Sequence, residues 1–312
     1  MNTYAKIAPE ALMFYDKHLI AFAEPVLVHN QFGQKRPIPA NSGIKVNFRK
    51  FSKLPKATQA LTEGVTPDSH ELKKTSVEAT VAQYGAYVAY TDLMNLADID
   101  KDMTEVNKLL SANAGETLEY ITAQVLAAGT NVIYAQNGAS RAALTGAANA
   151  LTVDDIKRAA AILKNNCAKK IDGNYVAIVH PFVGYDLMKD PQWIDVKNYD
   201  NKDLYAGELG TLYGIRFVES SEATVFAGAG ADGVDVYATL VIGADAYGVT
   251  EITGGGLKSI IKQLGSAGSA DPLDQRGSQG WKATHTAVIL NELNMVRIES
   301  ASTMIAPDLD EE

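Results

Sequence analysis

Apolar and polar positions follow different periods along the chain, and the changes of period mark its elements. The most regular stretch is 102–128, DMTEVNKLLSANAGETLEYITAQVLAA. Met103, Val106, Leu110, Ala114, Ile121, Val125 and Ala128 recur at steps of three or four, or twice that, so the pattern predicts one long amphipathic helix. Leu109, Leu118 and Leu126 widen its apolar face. Asp102 and Glu105 make a capping-box-like start, and Gly129 is placed to end the helix in a left-handed conformation. At about 1.5 Å per residue the helix spans roughly 40 Å, long enough for other elements to lie along it. Gly115 costs about 1 kcal/mol relative to Ala in a helix interior, which marks it as a point of close approach or bending.

Ahead of this helix, Leu12, Tyr15, Leu19 and Phe22 give an apolar edge to a helix running from Pro9 to about Ala23. The next stretch, VLVHNQFGQKRPIPANSG, has no period and reads as an extended arm with little to pack on in its own chain. Ile44, Val46 and Phe48 alternate with Lys45, Asn47 and Arg49, the pattern of a half-buried strand. Thr75–Tyr90 reads as a second long strand, with Gly85 as a bulge or bend. More than twenty aperiodic residues separate the two, so the pair is expected to be an antiparallel hairpin with a large excursion at its tip, an interaction arm.

After the long helix, 131–150 is small and polar and reads as a linker or surface loop. Strands and helices then alternate. Thr152 with Asp155 starts a helix bearing Ile156, Ala160, Leu163 and Cys167 on one face. Tyr175–His180, Gly214–Glu219 and Val234–Gly243 read as buried strands, and Pro181 opens a short helix. This alternation predicts a small α/β unit at 151–256. Leu257–Leu264 is a strand leaving it, 265–280 a loop, and WKATHTAVIL and LNMVRIES two closing strands beside the long helix. The tail APDLDEE is acidic.

The formal net charge of -9 argues against a dedicated nucleic-acid-binding face. One cysteine, Cys167, leaves no intrachain disulfide or thiolate cluster, and its place on an apolar helix face favours a buried, inert thiol over a nucleophile served by His180. The histidines, among them His29 and His285, fall in no HxH or HExxH spacing. The glycine-rich TGGGL at 253–257 lacks a following Lys-Ser/Thr and reads as a hinge. No apolar signal core opens the chain and no run is long enough to cross a membrane, so a cytoplasmic protein without a membrane partner is expected. No catalytic, cofactor or metal constellation emerges. An enzyme built on the 151–256 unit, hydrolase-like, is the alternative reading, and it lacks a nucleophile elbow and a phosphate loop.

Several segments resemble one branch of the tailed-bacteriophage major capsid proteins, the branch of short-tailed phages and related prophages. They are FGQKRPIP at 32–39, VNFRKFSKLPKATQALTEGVTPD at 46–68, YTDL at 90–93, AGETLEYITAQVLAAGTNVIYA at 114–135, YVAIVHPFVGYDL at 175–187, TLVIGADAYGV at 239–249 and DPLDQRGSQGWKATHTAVILNELNMVRIES at 271–300. The resemblance spans most of the chain in the expected order. It implies an α+β fold of the Hong Kong 97 capsid type: an N-terminal arm (1–43), an extended hairpin loop (44–90), a peripheral domain with a spine helix (91–150 and 257–312), and an axial domain (151–256). It implies pentamers and hexamers of an icosahedral shell around double-stranded DNA. The implied partners are further copies of the chain, with scaffolding, portal and decoration proteins; another virion component, such as a decoration or tail protein, remains open. Within that frame Lys45, Arg49, Lys50 and Lys53 on the hairpin, Glu63 and Gly64 near its tip, Gly115 in the spine and Trp281 in a closing strand are the candidate assembly residues.

Overall fold

The computed structural model describes residues 27–37, 44–51, 54–58, 60, 63, 64, 66, 69–93, 102–194, 209–251, 257–266 and 271–304. The expected helix at 9–23, Lys53, the TGGGL hinge up to Gly256, and the acidic tail lie outside the described residues. So do the side chains of Asp102 and Glu105. In chain order the elements are α1 (Val28–Gln31), β1 (Gln34–Arg36), β2 (Lys45–Phe51), β3 (Lys74–Thr80), β4 (Ala82–Thr91), α2 (Asp102–Ala127), β5 (Val132–Tyr134) and α3 (Val153–Asn165). There follow β6 (Tyr175–Val179), α4 (Pro181–Met188), β7 (Gly210–Leu212), β8 (Ile215–Glu219), β9 (Val225–Phe226), β10 (Val236–Ile242), β11 (Tyr247–Thr250), β12 (Leu257–Lys262), β13 (Arg276–His285), β14 (Ala287–Ile289) and β15 (Met295–Ser300).

A seven-stranded mixed sheet, ordered β5-β15-β10-β6-β8-β7 with β9 also on β10, forms the α/β unit. Its central strands β6 and β10 are buried along their whole length, which is why they read as continuous apolar runs. One face packs on α3 and α4 through Ile156, Leu163, Val183 and Leu187. The other meets Val28, the C-terminal half of α2 through Leu126, and Tyr247 and Val249 of β11. A second sheet, β12-β13-β4, covers the N-terminal half of α2, where Leu110, Ala114 and Leu118 meet Leu257, Trp281 and Ala283. A third, β1-β11-β14, joins the chain start to the closing segment, and β2-β3 is the hairpin.

The hairpin pairs in continuous antiparallel register from Lys45↔Thr80 to Phe51↔Lys74. Its buried face is Val46, Phe48 and Ala79, while Ile44 is exposed. The expected second strand is two strands. The break falls at Val81, where pairing passes from β2 to β13, and Gly85 sits in unbroken register opposite Lys282 without a bulge.

The long helix ends one residue earlier than the pattern predicts, and its buried stripe differs from the expected one. Asn107, Ser111, Glu119 and Thr122 are buried, whereas Leu109 and Ala128 are exposed and Ile121 and Val125 half-buried. Each inward polar residue has a partner, so an apolar count misplaces the face. Gly129 does not adopt a left-handed conformation. A Cβ there would lie 2.9 Å from Met295 Cε and 3.3 Å from Glu292 Oε2, so the glycine answers to close packing.

Three further expectations change. Segment 131–150 is not a loose linker: Val132–Tyr134 pairs in parallel with β15, and Ala135 and Leu144 are fully buried. The predicted loop at 265–280 is shorter, because β13 begins at Arg276. Of the closing strands, β13 and β14 lie against α2, but β15 sits between β5 and β10 in the seven-stranded sheet. Its residues are buried throughout, and alternating Met295, Val296 and Ile298 supply both faces of the sheet.

Candidate functional site

The described parts of the candidate assembly apparatus are the arm segment, the hairpin, the spine α2 and the strands beside it. The arm segment does have a seat on its own chain, contrary to the sequence expectation. Leu27, Val28, His29 and Asn30 are all buried. The His29 backbone N–H donates to Glu119 Oε1 at 2.8 Å and Oε2 at 3.0 Å, and His29 Nδ1 lies 2.5 Å from Glu119 Oε1. Ser220 Oγ donates to the same oxygen at 3.4 Å, and the Tyr247 hydroxyl donates to the His29 carbonyl. Burial raises the Tyr247 pKa, keeping that hydroxyl protonated. Beyond the arm segment, Gln34–Arg36 adds a parallel strand to β11.

A second polar chain continues from the first. Thr122 Oγ1 lies 3.3 Å from Asn30 Oδ1 and 2.9 Å from His285 Nε2, and His285 Nδ1 lies 3.1 Å from Thr250 Oγ1. His285 is buried, and desolvation pushes its pKa down to about 4. The sequence pattern of His29, Asn30, Glu119, Thr122 and His285 carries no signal of this, because they lie far apart in the chain and meet only through tertiary packing. Arg297 closes the far end of the spine. Its Nη1 donates to the Ala127 carbonyl, an acceptor that the helix terminus leaves without a helical partner, and to the Gly129 carbonyl just beyond the helix at 2.9 Å. Buried Glu299 accepts from Arg297 Nε at 2.9 Å and from Arg141 Nη2 at 2.6 Å, balancing the charge.

The hairpin is fastened at its base. Phe48 is buried against Gly248, where a Cβ would overlap the Phe48 ring. Lys45 and Arg49 share the exposed face of β2; Lys45 Nζ is 3.0 Å from Glu78 Oε2 in the same hairpin. Lys50 lies on the opposite face, where its Nζ donates to Asn291 Oδ1 at 2.7 Å. Glu63 and Gly64 form an exposed turn, Gly64 with φ of 80°. Gly115 is buried in α2. Trp281 is buried, and its Nε1 donates to Asn113 Oδ1 on the spine at 3.0 Å. The structure therefore brings Trp281 and the spine together, and it spreads the hairpin cations over two faces.

The residues considered for other chemistry fall elsewhere. Cys167 is exposed, two residues past the end of α3, with φ of 55°, and not on that helix's apolar face. His180 caps α4, its Nδ1 accepting from Phe182 N–H at 3.2 Å. Among the described residues no group of three or more His, Cys, Asp or Glu side chains could hold a metal ion, and no helix is long and apolar enough to cross a membrane.

A model of the family described as "Phage capsid protein" matches residues 74–298, from the start of β3 to within β15. The chain belongs to the phage capsid protein family. Solved structures extend the likeness to regions that this match leaves out. The capsid of Ralstonia phage GP4 is 14% identical, with 90% of each chain covered and a TM-score of 0.67. The capsid protein of cyanophage Pam1 is 15% identical, with 98% of this chain and 97% of that one covered, also at 0.67. That of cyanophage P-SCSP1u is 16% identical over 89% of each chain, at 0.63. No curated protein matches the sequence. The fold of this capsid protein is the Hong Kong 97 type, and the chain is a structural protein of the virion, a major capsid protein.

Proposed function

We propose that this capsid protein closes into pentamers and hexamers of an icosahedral shell that encloses packaged double-stranded DNA without reading its sequence. The observation that carries the reading is the likeness to phage capsid subunits over nine-tenths of the chain, joined to a hairpin whose base is anchored. On this reading residues 1–43 are an arm, 44–90 the extended loop, 91–150 with 257–312 the peripheral domain, and 151–256 the axial domain. β5 and β15, from the segments read as peripheral, pair in the sheet of the 151–256 unit and so tie the two proposed domains together.

Each copy touches several others, so modest contacts sum over a closed shell. Arg49 and the tip residues Glu63 and Gly64 belong to the surface offered to neighbours. Lys45 pairs with Glu78 within the hairpin, and Lys50, engaged with Asn291, holds the hairpin to its own body. Scaffolding, portal and decoration proteins are the further partners, and the host cytoplasm is the place of assembly. The subunit has no enzymatic role. The net charge of -9 favours a wall that releases DNA over one that traps it.

The test is deletion of the hairpin tip, about residues 55–72, with a short glycine-serine bridge between β2 and β3. Unchanged helical circular dichroism with loss of particles supports the reading. A truncated chain that still assembles normal shells contradicts it.

A further inference from the structure

The sheet β12-β13-β4 has two unlike faces. Register and burial place Trp281, Gln279 and Ala283 of β13 and Leu257 of β12 toward the spine, with Gln279 Nε2 donating to Asn107 Oδ1 at 3.0 Å. The alternate residues face away from it. There Tyr87, Gly280 and Ile260 form one row across the three strands, with Tyr87 75% and Ile260 42% exposed. Gly280 is the floor between them: a Cβ on it would lie 2.6 Å from Tyr87 Cβ. The result is a groove of about 390 Å³, lined also by Gln83, Gly85 and Lys282.

Cations flank this apolar trough. Lys282 and Lys258 are direct register partners on one side, and Lys262 and Arg276 lie on the other; all four are exposed. None of the four has an ion-pair partner among the described residues. The remaining strand residues of the face, among them Gln83, Ala89, Thr91, Ser278 and Thr284, carry no acid. The nearest acids in sequence lie at the edge: exposed Asp92 directly follows Thr91 and its backbone N–H donates to the Gln275 carbonyl at 3.1 Å, Asp271 Oδ2 accepts from the Arg276 backbone N–H at 2.7 Å, and Asp274 stands beside Gly265. Four cations with no ion-pair partner among the described residues, set around a tyrosine and an isoleucine, are the inverse of the chain as a whole, which is acidic.

We propose that this face is the docking site for the acidic closing segment, residues 306–312, of a second copy of the chain. The segment reads APDLDEE: four carboxylates around one leucine. Leu309 fits the trough between Tyr87 and Ile260, and Asp308, Asp310, Glu311 and Glu312 meet the lysines and the arginine. Duplex DNA supplies charge but no apolar side chain for the trough, so an acidic peptide answers to more of the surface. The hairpin tip answers to less of it, because its acids are interspersed with Lys53, Lys56 and Lys73. A second copy is the occupant we assign because the chain ahead of the segment is fastened elsewhere: Ser302 Oγ and Thr303 N–H both donate to Asp186 Oδ2 of α4 at 2.8 Å, on the α/β unit and not on the β12-β13-β4 sheet. The inference rests on the shell reading, since it assigns one contact within the shell.

Charge exchange between full-length chains tests it. One variant carries Lys258→Glu and Lys282→Glu; the other carries Asp308→Lys and Asp310→Lys. Circular dichroism checks the fold, and Lys258→Gln with Lys282→Gln serves as a milder pair. In low salt each reversed variant alone loses about tenfold or more of its assembled fraction, and mixing the two restores it to within about twofold, because the two reversed tail positions of one chain then face the two reversed sheet positions of the other. Restoration only when all four changes sit in one chain would place the tail on its own subunit and overturn the second-copy assignment. Face reversal that lowers DNA content of the particles, with tail reversal silent, would make the surface a DNA contact and overturn the proposal. Normal assembly by every variant would overturn it while leaving the shell reading intact; an unaltered chain that forms no particles would instead sink the shell reading, and this contact with it.

Discussion

Replacing Glu119 with Ala is the sharpest perturbation of the seat that holds the arm segment. The carboxylate is fully buried and accepts two bonds from the His29 backbone N–H, one contact from the His29 ring and one bond from Ser220. Removing one member of a buried, hydrogen-bonded pair costs about 3–5 kcal/mol, because the partner keeps its desolvation cost and loses its compensation. The Tyr247 bond to the His29 carbonyl remains, so the loss lies toward the lower end of that range. For a chain of this size about 2 °C of melting temperature accompanies each kcal/mol, so Glu119→Ala is expected to melt about 6–8 °C below the unaltered subunit. Glu119→Gln keeps the volume and one carbonyl acceptor and is expected to lose about half as much. Differential scanning fluorimetry reads the shift, and limited proteolysis around residues 32–43 reads release of the arm. A fall of less than 2 °C with unchanged proteolysis of the arm would refute the claim that this carboxylate holds the segment.

Two other substitutions test separate parts of the account. His285 is neutral in the fold with a pKa of about 4, against about 6.5 in the unfolded chain. The unfolded chain therefore takes up a proton between pH 6.5 and 4 that the folded chain refuses. Stability is unaffected by His285 above pH 6.5 and falls by about 3 kcal/mol as pH drops through that window. His285→Gln should flatten this part of the acid limb in denaturation curves taken from pH 7 to 4; an unchanged limb would show that the imidazole charges without cost. Gly115→Ala should gain about 1 kcal/mol of helix propensity if the site is roomy. If the glycine serves close packing or bending in the shell, the substitution instead reduces particle yield at unchanged helical circular dichroism; normal yield would leave that role unsupported.

The elements that the sequence made legible are those whose burial is apolar and periodic. The hairpin base, β6, β10, the Thr152–Asp155 start of α3 and the Pro181 start of α4 fall where pattern and capping chemistry predict them. The errors share one cause. Asn107, Ser111, Glu119 and Thr122 face inward because Gln279, the Asn107 carbonyl, His29 and His285 wait for them. A pattern of apolar residues registers polar side chains as outward, and their partners, apart from the Asn107 carbonyl in the same helix, are supplied by other elements. The arm reads as unseated for the same reason: His29 and Asn30 in an aperiodic stretch give no local sign that a carboxylate ninety residues away binds there. Gly129 and Gly85 show the matching error for glycine. Local rules read them as a left-handed stop and a bulge, whereas the neighbouring Met295 and the regular ladder with β13 account for them. Of the candidate assembly residues, Trp281 owes its burial to the spine, and strand alternation sets the faces of the hairpin cations, with Lys50 on one face and Lys45 and Arg49 on the other.

The most direct test of the central claim is electron cryo-microscopy of the full-length chain expressed alone and with a co-expressed scaffold. The account predicts closed shells in which the subunit described here repeats around five-fold and six-fold axes, the 151–256 unit nearest the axes and the hairpin tip resting on an adjacent copy. A compact monomer that persists under both conditions, or particles whose subunits leave the hairpin tip in solvent, would contradict it.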